Sequence, residues 1–195
     1  MNFLAHILLS GDNEIIQIGN FSAEWIKGRL EGLVDKYSKD FFTGIKMHRF
    51  IDSFTDSDET VQVSVSRQKE YFGRYASIIN DVVYDYFLAK NFQKYSNENL
   101  DIFCNKFYNS CIKHNNLLPQ KVQEVIPHLI LRRRLQSYES LQGLHAALKT
   151  MSETTSLPPY PEKAIEVVIK NYDAYENEFS FFWNKISCEI KKKFF

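Results

Sequence analysis

Apolar and aromatic side chains recur at the period of an α-helix along almost the whole chain. Such spacing places them on one helix face, whereas a half-buried strand alternates apolar and polar residues. Only residues 60–71 alternate, and because no second strand is evident to pair with them, we expect helix there too, capped by Asp58. The pattern predicts an all-α fold. The clearest helical stripe is Tyr172, Tyr175, Phe179, Phe182 and Ile186.

The composition bounds the number of domains and the kinds of partner. A chain of 195 residues with 44% hydrophobic content can bury one sizeable core, so a single domain over residues 1–195 is expected. Lys and Arg together balance Asp and Glu at 24 each, which argues against a nucleic-acid-binding protein. Only 7 Gly and 5 Pro accompany 15% aromatic residues, as is typical of a compact helical protein. We predict a helical bundle of about eight or nine helices.

Capping and breaking residues predict where these helices begin and end. Pro119 stands where the first residue of a helix would, and Pro127 is expected to kink or divide the helix that follows. A loop at residues 156–161 precedes one long C-terminal helix, from Glu162 to about Lys193. The other main helices are expected at about Glu14–Arg29, Lys39–Asp56, Ala76–Phe92 and Asn99–His114.

Cysteine usage and the N-terminal residues favour a cytoplasmic protein. Cys104, Cys111 and Cys188 form no C-x-x-C pair, and the first two lie two helical turns apart, as expected of buried thiols in a reducing compartment. Residues 1–9 lack the basic start of a secretory signal, and no stretch approaches the roughly 18 apolar residues of a membrane helix. We therefore expect a cytoplasmic protein with no membrane partner.

The segment from Lys46 to Asp56 carries the most informative polar residues. On a helix, His48 and Asp52 are neighbours at i and i+4, and Asp56 follows one turn later on the same face. Apolar side chains flank all three. Because burying unpaired charge is costly, these groups need a partner if they are buried. A divalent metal or a ligand would be such a partner.

Three more helices carry polar pairs at the same spacing. Any single pair is more often a solvated face, a helix cap or a buried hydrogen bond. Four pairs on faces that otherwise look buried can converge in a bundle and form a site for a hard divalent cation. Without a cation, two aspartates at this spacing would repel each other. The three pairs are Asn2 and His6, Asn20 and Glu24, and Asp81 and Asp85.

Other candidate motifs are weaker. Arg132–Arg134 is usually a solvated basic turn, and the alternative is a patch for an acidic partner or a phosphate. His114, His128 and His145 lie outside the paired faces, and we expect them at the surface or in core hydrogen bonds. Neither a G-x-S-x-G nucleophile motif nor a glycine-rich phosphate loop is present.

Several separated blocks of this sequence recur together in one known family of enzymes. The first two are M-N-F-L-A-H at residues 1–6 and G-N followed by A-E-W-I-K-G at residues 19–28. H-R-x-I-D-x-x-T-D at residues 48–56 and Y-D-x-F-L-A at residues 84–89 match two further blocks, and residues 135–144 match a later one weakly. In these blocks, which occur in order along the chain, the sequence resembles the acyl carrier protein phosphodiesterases.

This resemblance implies a fold, a reaction and a cofactor. Members of the family are helical relatives of the HD-domain phosphohydrolases. They remove 4′-phosphopantetheine from holo-acyl carrier protein, an acidic protein partner, and leave the apo protein. They need a divalent metal, typically Mn²⁺ or Mg²⁺. The residues that the resemblance places around this metal are His6, Glu24, His48, Asp52 and Asp85.

The same resemblance suggests roles in catalysis. We expect Asp85 or Glu24 to orient or deprotonate a water, and His48 to be a metal ligand or a proton shuttle. Arg49 is a candidate phosphate clamp, or an ion-pair partner of Asp52 at i and i+3. The expected substrate-binding residues are Asn20, Arg49, Asp81 and Tyr86.

Two positions depart from the family pattern. Members usually carry Asp where this chain has Glu24, and the extra methylene changes the reach of the carboxylate. They often read D-H-F-L where this chain has Tyr86 in place of the histidine. A tyrosine hydroxyl can still hydrogen-bond a phosphate oxygen.

Two other functions are compatible with these residues. One is a non-catalytic helical protein that binds a carrier protein or another ligand, which the two departures favour. The other is hydrolysis of a different phosphoester, such as a nucleotide, because HD-like sites serve many substrates.

Overall fold

The structure, a computed structural model, describes residues 1–195 and is built from helices. It has twelve α-helices and five short 3₁₀ turns, and no β-strand, so the all-α prediction is confirmed. Nine of the α-helices have eight or more residues, in agreement with the predicted number. The helices are α1 Phe3–Leu9, α2 Glu14–Ser22, α3 Lys39–Ser57, α4 Glu59–Ser66, α5 Lys69–Phe72, α6 Ala76–Lys90, α7 Leu100–Lys113, α8 Gln120–Leu131, α9 Arg134–Ser137, α10 Leu141–Thr154, α11 Pro161–Lys170 and α12 Tyr172–Phe194.

A hydrophobic core of 53 buried residues connects these helices. The apolar stripe of α12 is part of this core from Tyr175 to Ile186. Cys104 and Cys111 are buried free thiols, as predicted, and Cys188 is exposed. No helix combines the length and the apolar character needed to cross a membrane.

Asp58 shows how a capping side chain sets a helix boundary. Its Oδ1 accepts hydrogen bonds from the N–H groups of Thr60 and Val61 at the start of α4, and its Oδ2 binds Lys185 on α12. Residues 60–71 are accordingly helical, within α4 and α5. The predicted bounds of α3, α6 and α7 agree with the structure to within two residues.

Helix α2 ends seven residues earlier than the predicted Arg29, at Ser22. A 3₁₀ turn at Ala23–Trp25 follows, and Ile26 then adopts extended backbone. Gly28 has φ 111°, a conformation that favours glycine and is incompatible with a continuing helix. As a result, Glu24 lies on a turn and not on the face of a longer helix.

The single C-terminal helix predicted from Glu162 to Lys193 is in fact two helices, α11 and α12. Asn171 lies between them with φ −121° and ψ 29°, and its Nδ2 donates a hydrogen bond to the carbonyl of Val167 at 2.9 Å. The same carbonyl also accepts the backbone N–H of Asn171, so backbone and side chain of this residue together close the end of α11. The apolar period continues across Asn171, which is why the sequence pattern did not show the break.

Helix α8 passes through Pro127 without a break, so of the two predicted outcomes, a kink or a division, the division is wrong. The proline has no N–H, and the carbonyl of Gln123 therefore lacks its usual partner within the helix. Pro119 is the residue immediately before α8 and not its first residue.

Two glycines allow α2 and α3 to pack with their backbones in contact. A Cβ added to Gly19 would lie 2.2 Å from the carbonyl oxygen of Phe41, and one added to Gly44 would lie 2.3 Å from that of Ile16. No side chain fits between the helices at these points. Asn20 follows Gly19 directly, and His48 lies one turn after Gly44, so this contact brings two predicted site residues together.

Asp85 attaches α1 to α6. Its Oδ2 accepts a hydrogen bond from the N–H of Leu4 at 2.8 Å, and its Oδ1 accepts one from Ala5 at 3.2 Å. These N–H groups belong to the first turn of α1, where Asn2 makes no capping bond of its own. Burial raises the pKa of Asp85 to about 7, against the opposite effect of the two N–H groups. The carboxylate thus holds the helix that carries His6.

Candidate metal centre

Two histidines and one aspartate meet between α1 and α3, which both pack against α2. The Nε2 atoms of His6 and His48 each lie 3.2 Å from a different oxygen of Asp52. The centroids of the two imidazole rings are 4.3 Å apart. One ligand atom from each residue can be chosen so that all lie within 4.8 Å of one another, an arrangement that could hold a metal ion.

The electrostatics of this cluster keep one imidazole neutral. Burial, together with the nearby His6, lowers the pKa of His48 to about 4. Burial alone would raise the pKa of Asp52, but its bond to His6 and the charges of the two histidines hold it below the usual value. Since a metal binds the unprotonated imidazole and the ionised carboxylate, both groups are in the state that a cation requires.

Asn20 on α2 contacts the Nδ1 atoms of both histidines, whereas Asp52 lies beside their Nε2 atoms. Its Oδ1 lies 2.9 Å from Nδ1 of His6 and 3.2 Å from Nδ1 of His48. Its Nδ2 donates to the carbonyl of His6 and to the hydroxyl of Ser10. Asn20 is fully buried and is not among the residues that line the cavity beside the cluster.

Glu24 supplies a second carboxylate at the edge of the cluster. Its Oε2 is 3.8 Å from Nε2 of His48, and its side chain is 56% exposed. Burial and the negative charge of Asp52 raise the pKa of Glu24. A carboxylate that takes up a proton more readily than usual, at the edge of the cluster, suits general acid–base work.

The cluster opens into a cavity of about 820 Å³. Polar and charged residues line one part of it, including His6, Glu24, His48, Asp52, Asp56 and Asp81. Its apolar part comes from α6, α8 and α10, through Ile78, Val82, Val125, Leu129, Ala147 and Met151. A larger cavity, of about 1140 Å³, lies beside α12 and contains no histidine.

Asp81 lines this cavity but lies outside the cluster. Its Oδ1 binds the amino group of Met1 at 2.9 Å. The repulsion expected between Asp81 and Asp85 is relieved by separate partners, the amino group for one and the α1 N–H groups for the other.

Three predicted site residues lie away from both the cluster and the cavity lining. Both oxygens of Asp85 are occupied by backbone N–H groups. Arg49 donates to the carbonyl of Gly28 at 2.8 Å. Tyr86 is buried beside Tyr172. The structure therefore does not place a metal-binding role on Asp85 or a substrate-binding role on Arg49 and Tyr86.

Sequence reasoning missed several groups at the site. The backbone carbonyl of Met1 lies 3.1 Å from Nε2 of His6, and no side-chain pattern reports a carbonyl. Ser10 supports Asn20, and its position at i+4 from His6 is the signal that could have revealed it. His128 also lines the cavity, although the paired helix faces did not include it, and Arg132 and Arg134, named from the sequence as a possible basic patch, line it as well.

Comparison with known proteins agrees with the motif blocks. The family model described as "Acyl carrier protein phosphodiesterase" matches residues 1–186. The chain is 28% identical to the acyl carrier protein phosphodiesterase of Serratia proteamaculans over 99% of both chains. It is 31% identical to that of Photorhabdus laumondii over 78% of this chain and 76% of the other.

No solved structure matches the chain significantly, so the relation to HD-domain proteins stays a prediction. The family match covers all of the residues that build the cluster and the cavity. It confirms the resemblance predicted from the separated blocks, and with it a hydrolase family. The chain belongs to the acyl carrier protein phosphodiesterase family.

Proposed function

We propose that this protein is a metal-dependent phosphodiesterase that removes 4′-phosphopantetheine from holo-acyl carrier protein. The observation that carries the proposal is the convergence of His6, His48 and Asp52 at a cavity, in a chain of this family. A cytoplasmic location, where carrier proteins of fatty acid synthesis are found, is part of the proposal.

The donor atoms of the cluster fit a divalent metal. His6, His48 and Asp52 offer two imidazole nitrogens and a carboxylate, a set suited to Mn²⁺ among the hard and borderline cations. We assign the metal to these three residues and not to Asp85. When bound, such a metal supplies a water of lowered pKa and neutralises phosphate charge.

In the proposed reaction a water oxygen bonds to phosphorus, and the bond from phosphorus to the serine oxygen of the carrier protein breaks. The serine oxygen leaves with a proton. Glu24 is the group of this chain best placed to hold the proton of the attacking water, because its raised pKa favours uptake. His6, His48 and Asp52 would hold the metal beside Glu24, whose Oε2 lies 3.8 Å from Nε2 of His48.

The cavity suits the rest of the substrate. Its volume is typical of sites that enclose small molecules, and its apolar wall can pack against the pantetheine arm. Arg132 and Arg134 line the same cavity and form no ion pair with any carboxylate, whereas Arg133 binds Asp101. Two unpaired guanidinium groups at the cavity favour an acidic carrier protein.

The direct test is to incubate the purified protein with holo-acyl carrier protein and Mn²⁺ and to weigh the carrier protein by mass spectrometry. Loss of the phosphopantetheine mass is expected, and Asp52→Asn should abolish it. The matched control is Asp40→Asn, on the same helix but away from the cavity, which should leave the rate unchanged.

Two results would contradict this proposal. Carrier protein that binds but keeps its phosphopantetheine under every divalent metal would identify a binding protein. Hydrolysis of nucleotides with intact holo-acyl carrier protein would identify another phosphoester as the substrate.

A further inference from the structure

We propose that Arg134 binds the phosphate of the substrate's pantetheine arm inside the cavity. The choice of this ligand rests on the function proposed above. Arg49, the phosphate clamp expected from the sequence, donates to the carbonyl of Gly28 and does not line the cavity. Arg134 lines the cavity and is only partly exposed. It is therefore the arginine of this chain that can meet a phosphate in a partly enclosed site.

The turn between α8 and α9 separates three consecutive arginines. Arg133 adopts the left-handed conformation, with φ 46° and ψ 46°, which is uncommon for a residue other than glycine. Its guanidinium binds Asp101, and it does not line the cavity, whereas the arginines on both sides of it do. Arg132 is exposed and follows Leu131, which is 82% exposed, so water screens its charge. Arg134 is the less exposed of the two arginines at the cavity.

A chain of contacts connects Arg134 to the cluster. Tyr138 follows Arg134 by four residues, so the two share a helix face, and its hydroxyl accepts a hydrogen bond from Nδ2 of Asn2 at 2.9 Å. The carbonyl of Asn2 in turn accepts the N–H of His6 at 3.3 Å. Burial raises the pKa of Tyr138, and the positive charge of Arg134 acts in the opposite direction, so the guanidinium lies near this hydroxyl. All four residues line the same cavity.

The guanidinium of Arg134 has no partner within the protein. The backbone carbonyl of Arg134 accepts the hydroxyl of Ser137 at 2.7 Å, but its side chain forms neither an ion pair nor a hydrogen bond. Removing a cation from water without a counter-charge is costly, and an anionic ligand offsets this cost. A guanidinium presents paired N–H donors that match two oxygens of a phosphate. A phosphate that enters the cavity would therefore use donors that the fold leaves free.

The test is to measure the affinity of the protein for 4′-phosphopantetheine and for pantetheine, which lacks the phosphate, by calorimetry at saturating Mn²⁺. For Arg134→Gln we expect the affinity for 4′-phosphopantetheine to fall by about tenfold or more, because hydrogen bonds between charged groups are lost. The affinity for pantetheine should not change. Arg134→Lys keeps the charge but not the paired donors, so it should recover part of the lost affinity.

Two neighbouring variants are the controls. Arg133→Gln removes a guanidinium that does not line the cavity, and it should leave both affinities unchanged. Arg132→Gln should lower the affinity for 4′-phosphopantetheine much less than Arg134→Gln does, because Arg132 is exposed to water. An equal loss in Arg132→Gln would mean that positive charge at the cavity, and not a site at Arg134, attracts the phosphate.

Three other results would overturn the proposal. The first is wild-type protein that does not bind 4′-phosphopantetheine more tightly than pantetheine. The second is an unchanged affinity for 4′-phosphopantetheine in Arg134→Gln. The third is an equal loss of affinity for both ligands in that variant, which would indicate a structural role.

The same measurements distinguish this proposal from the proposed function. If 4′-phosphopantetheine binds through Arg134 but holo-acyl carrier protein is not hydrolysed, the phosphate site stands and the proposed function fails. If hydrolysis proceeds and Arg134→Gln binds 4′-phosphopantetheine as the wild type does, the proposed function stands and the phosphate site fails.

Discussion

The carboxylate of Asp85 on α6 holds the backbone N–H of Leu4 on α1 at 2.8 Å, across 81 residues of sequence. This bond connects the first turn of the chain to a fully buried side chain in its middle. Because His6 lies half a turn further along α1, the position of one residue of the proposed metal site depends on a carboxylate that does not face the cavity.

Replacing Asp85 with alanine should therefore destabilise the fold. Two buried N–H groups would lose their acceptor, and at about 1–3 kcal/mol for each unsatisfied group we expect the free energy of unfolding to fall by about 3 kcal/mol. Chemical denaturation measures this change. The control Asp101→Ala removes an exposed carboxylate bound to Arg133 and should cost less than about 1 kcal/mol. Normal stability with loss of Mn²⁺ binding in Asp85→Ala would place Asp85 at the metal instead.

Tyr86→His restores the residue that family members often carry, and it should not change turnover. Tyr86 is 2% exposed and lies against Tyr172 and Lys90, outside the cavity lining. We expect kcat within about twofold of the wild-type value, because the residue does not touch the reacting groups. Thermal unfolding should occur at a lower temperature, because the buried ring loses packing. A large gain in kcat would show that position 86 reaches the substrate.

Two substitutions test the proposed role of Glu24, because one removes the charge of the side chain and the other shortens it. Glu24→Gln keeps the shape but cannot take up a proton, so we expect kcat to fall by about 100-fold or more at saturating Mn²⁺. Glu24→Asp, which restores the usual family residue, should keep most of the activity. Mn²⁺ affinity should change little in both, since the metal is assigned to other residues. Steady-state kinetics and calorimetry give the two readouts, and an unchanged kcat in Glu24→Gln would exclude the proposed role.

Reversing the charge of Arg132 and Arg134 should weaken recognition of the carrier protein. For the double change to glutamate we expect KM to rise by about tenfold or more, with a weaker dependence on salt and little change in kcat. The control Lys192→Glu with Lys193→Glu makes the same charge change on α12, away from this cavity. Equal effects of the two double variants on KM would mean that net charge, and not this surface, determines binding.

Asp58 should make stability depend on pH in the acid range. Burial alone would raise its pKa, but Lys185 and the N–H groups of Val61 and Thr60 outweigh burial and lower it below the ordinary value of 3.8. A depressed carboxyl pKa stabilises the folded protein above the unfolded pKa, and this contribution is lost as the pH falls through the folded pKa. Asp58→Asn keeps a good helix cap but removes the charge. We expect its stability deficit to be constant above about pH 5 and to shrink below about pH 4. A deficit that does not vary with pH in denaturation curves would contradict this.

The sequence predicted the residues of the cluster better than it predicted their partners. His48 and Asp52 are neighbours on any helix, so local spacing was enough to pair them. The spacing of Asp81 and Asp85 could not reveal that one faces the cavity and the other the start of α1, because that depends on which helix packs against each side of α6. Tyr86 follows Asp85 by about 100° of helical rotation, so adjacency in a motif did not mean adjacency to the site.

The errors in helix boundaries have a similar physical origin. Helix α2 gives way to a 3₁₀ turn and extended backbone after Ser22, and Asn171 separates α11 from α12, while the apolar period continues past both ends. Periodicity reports which faces are buried, and it does not report where the chain changes direction.

The contact between Gly19 and Gly44 has a consequence for how this family would look in a mutational screen. Adding a single methyl group to either glycine would push α2 and α3 apart and separate Asn20 from His48. A library scored only for lost turnover would therefore rank these two glycines with the proposed metal ligands, although neither has a side chain. In this protein, a position can therefore be intolerant to substitution because it sets the distance between two helices, and not because it takes part in the reaction.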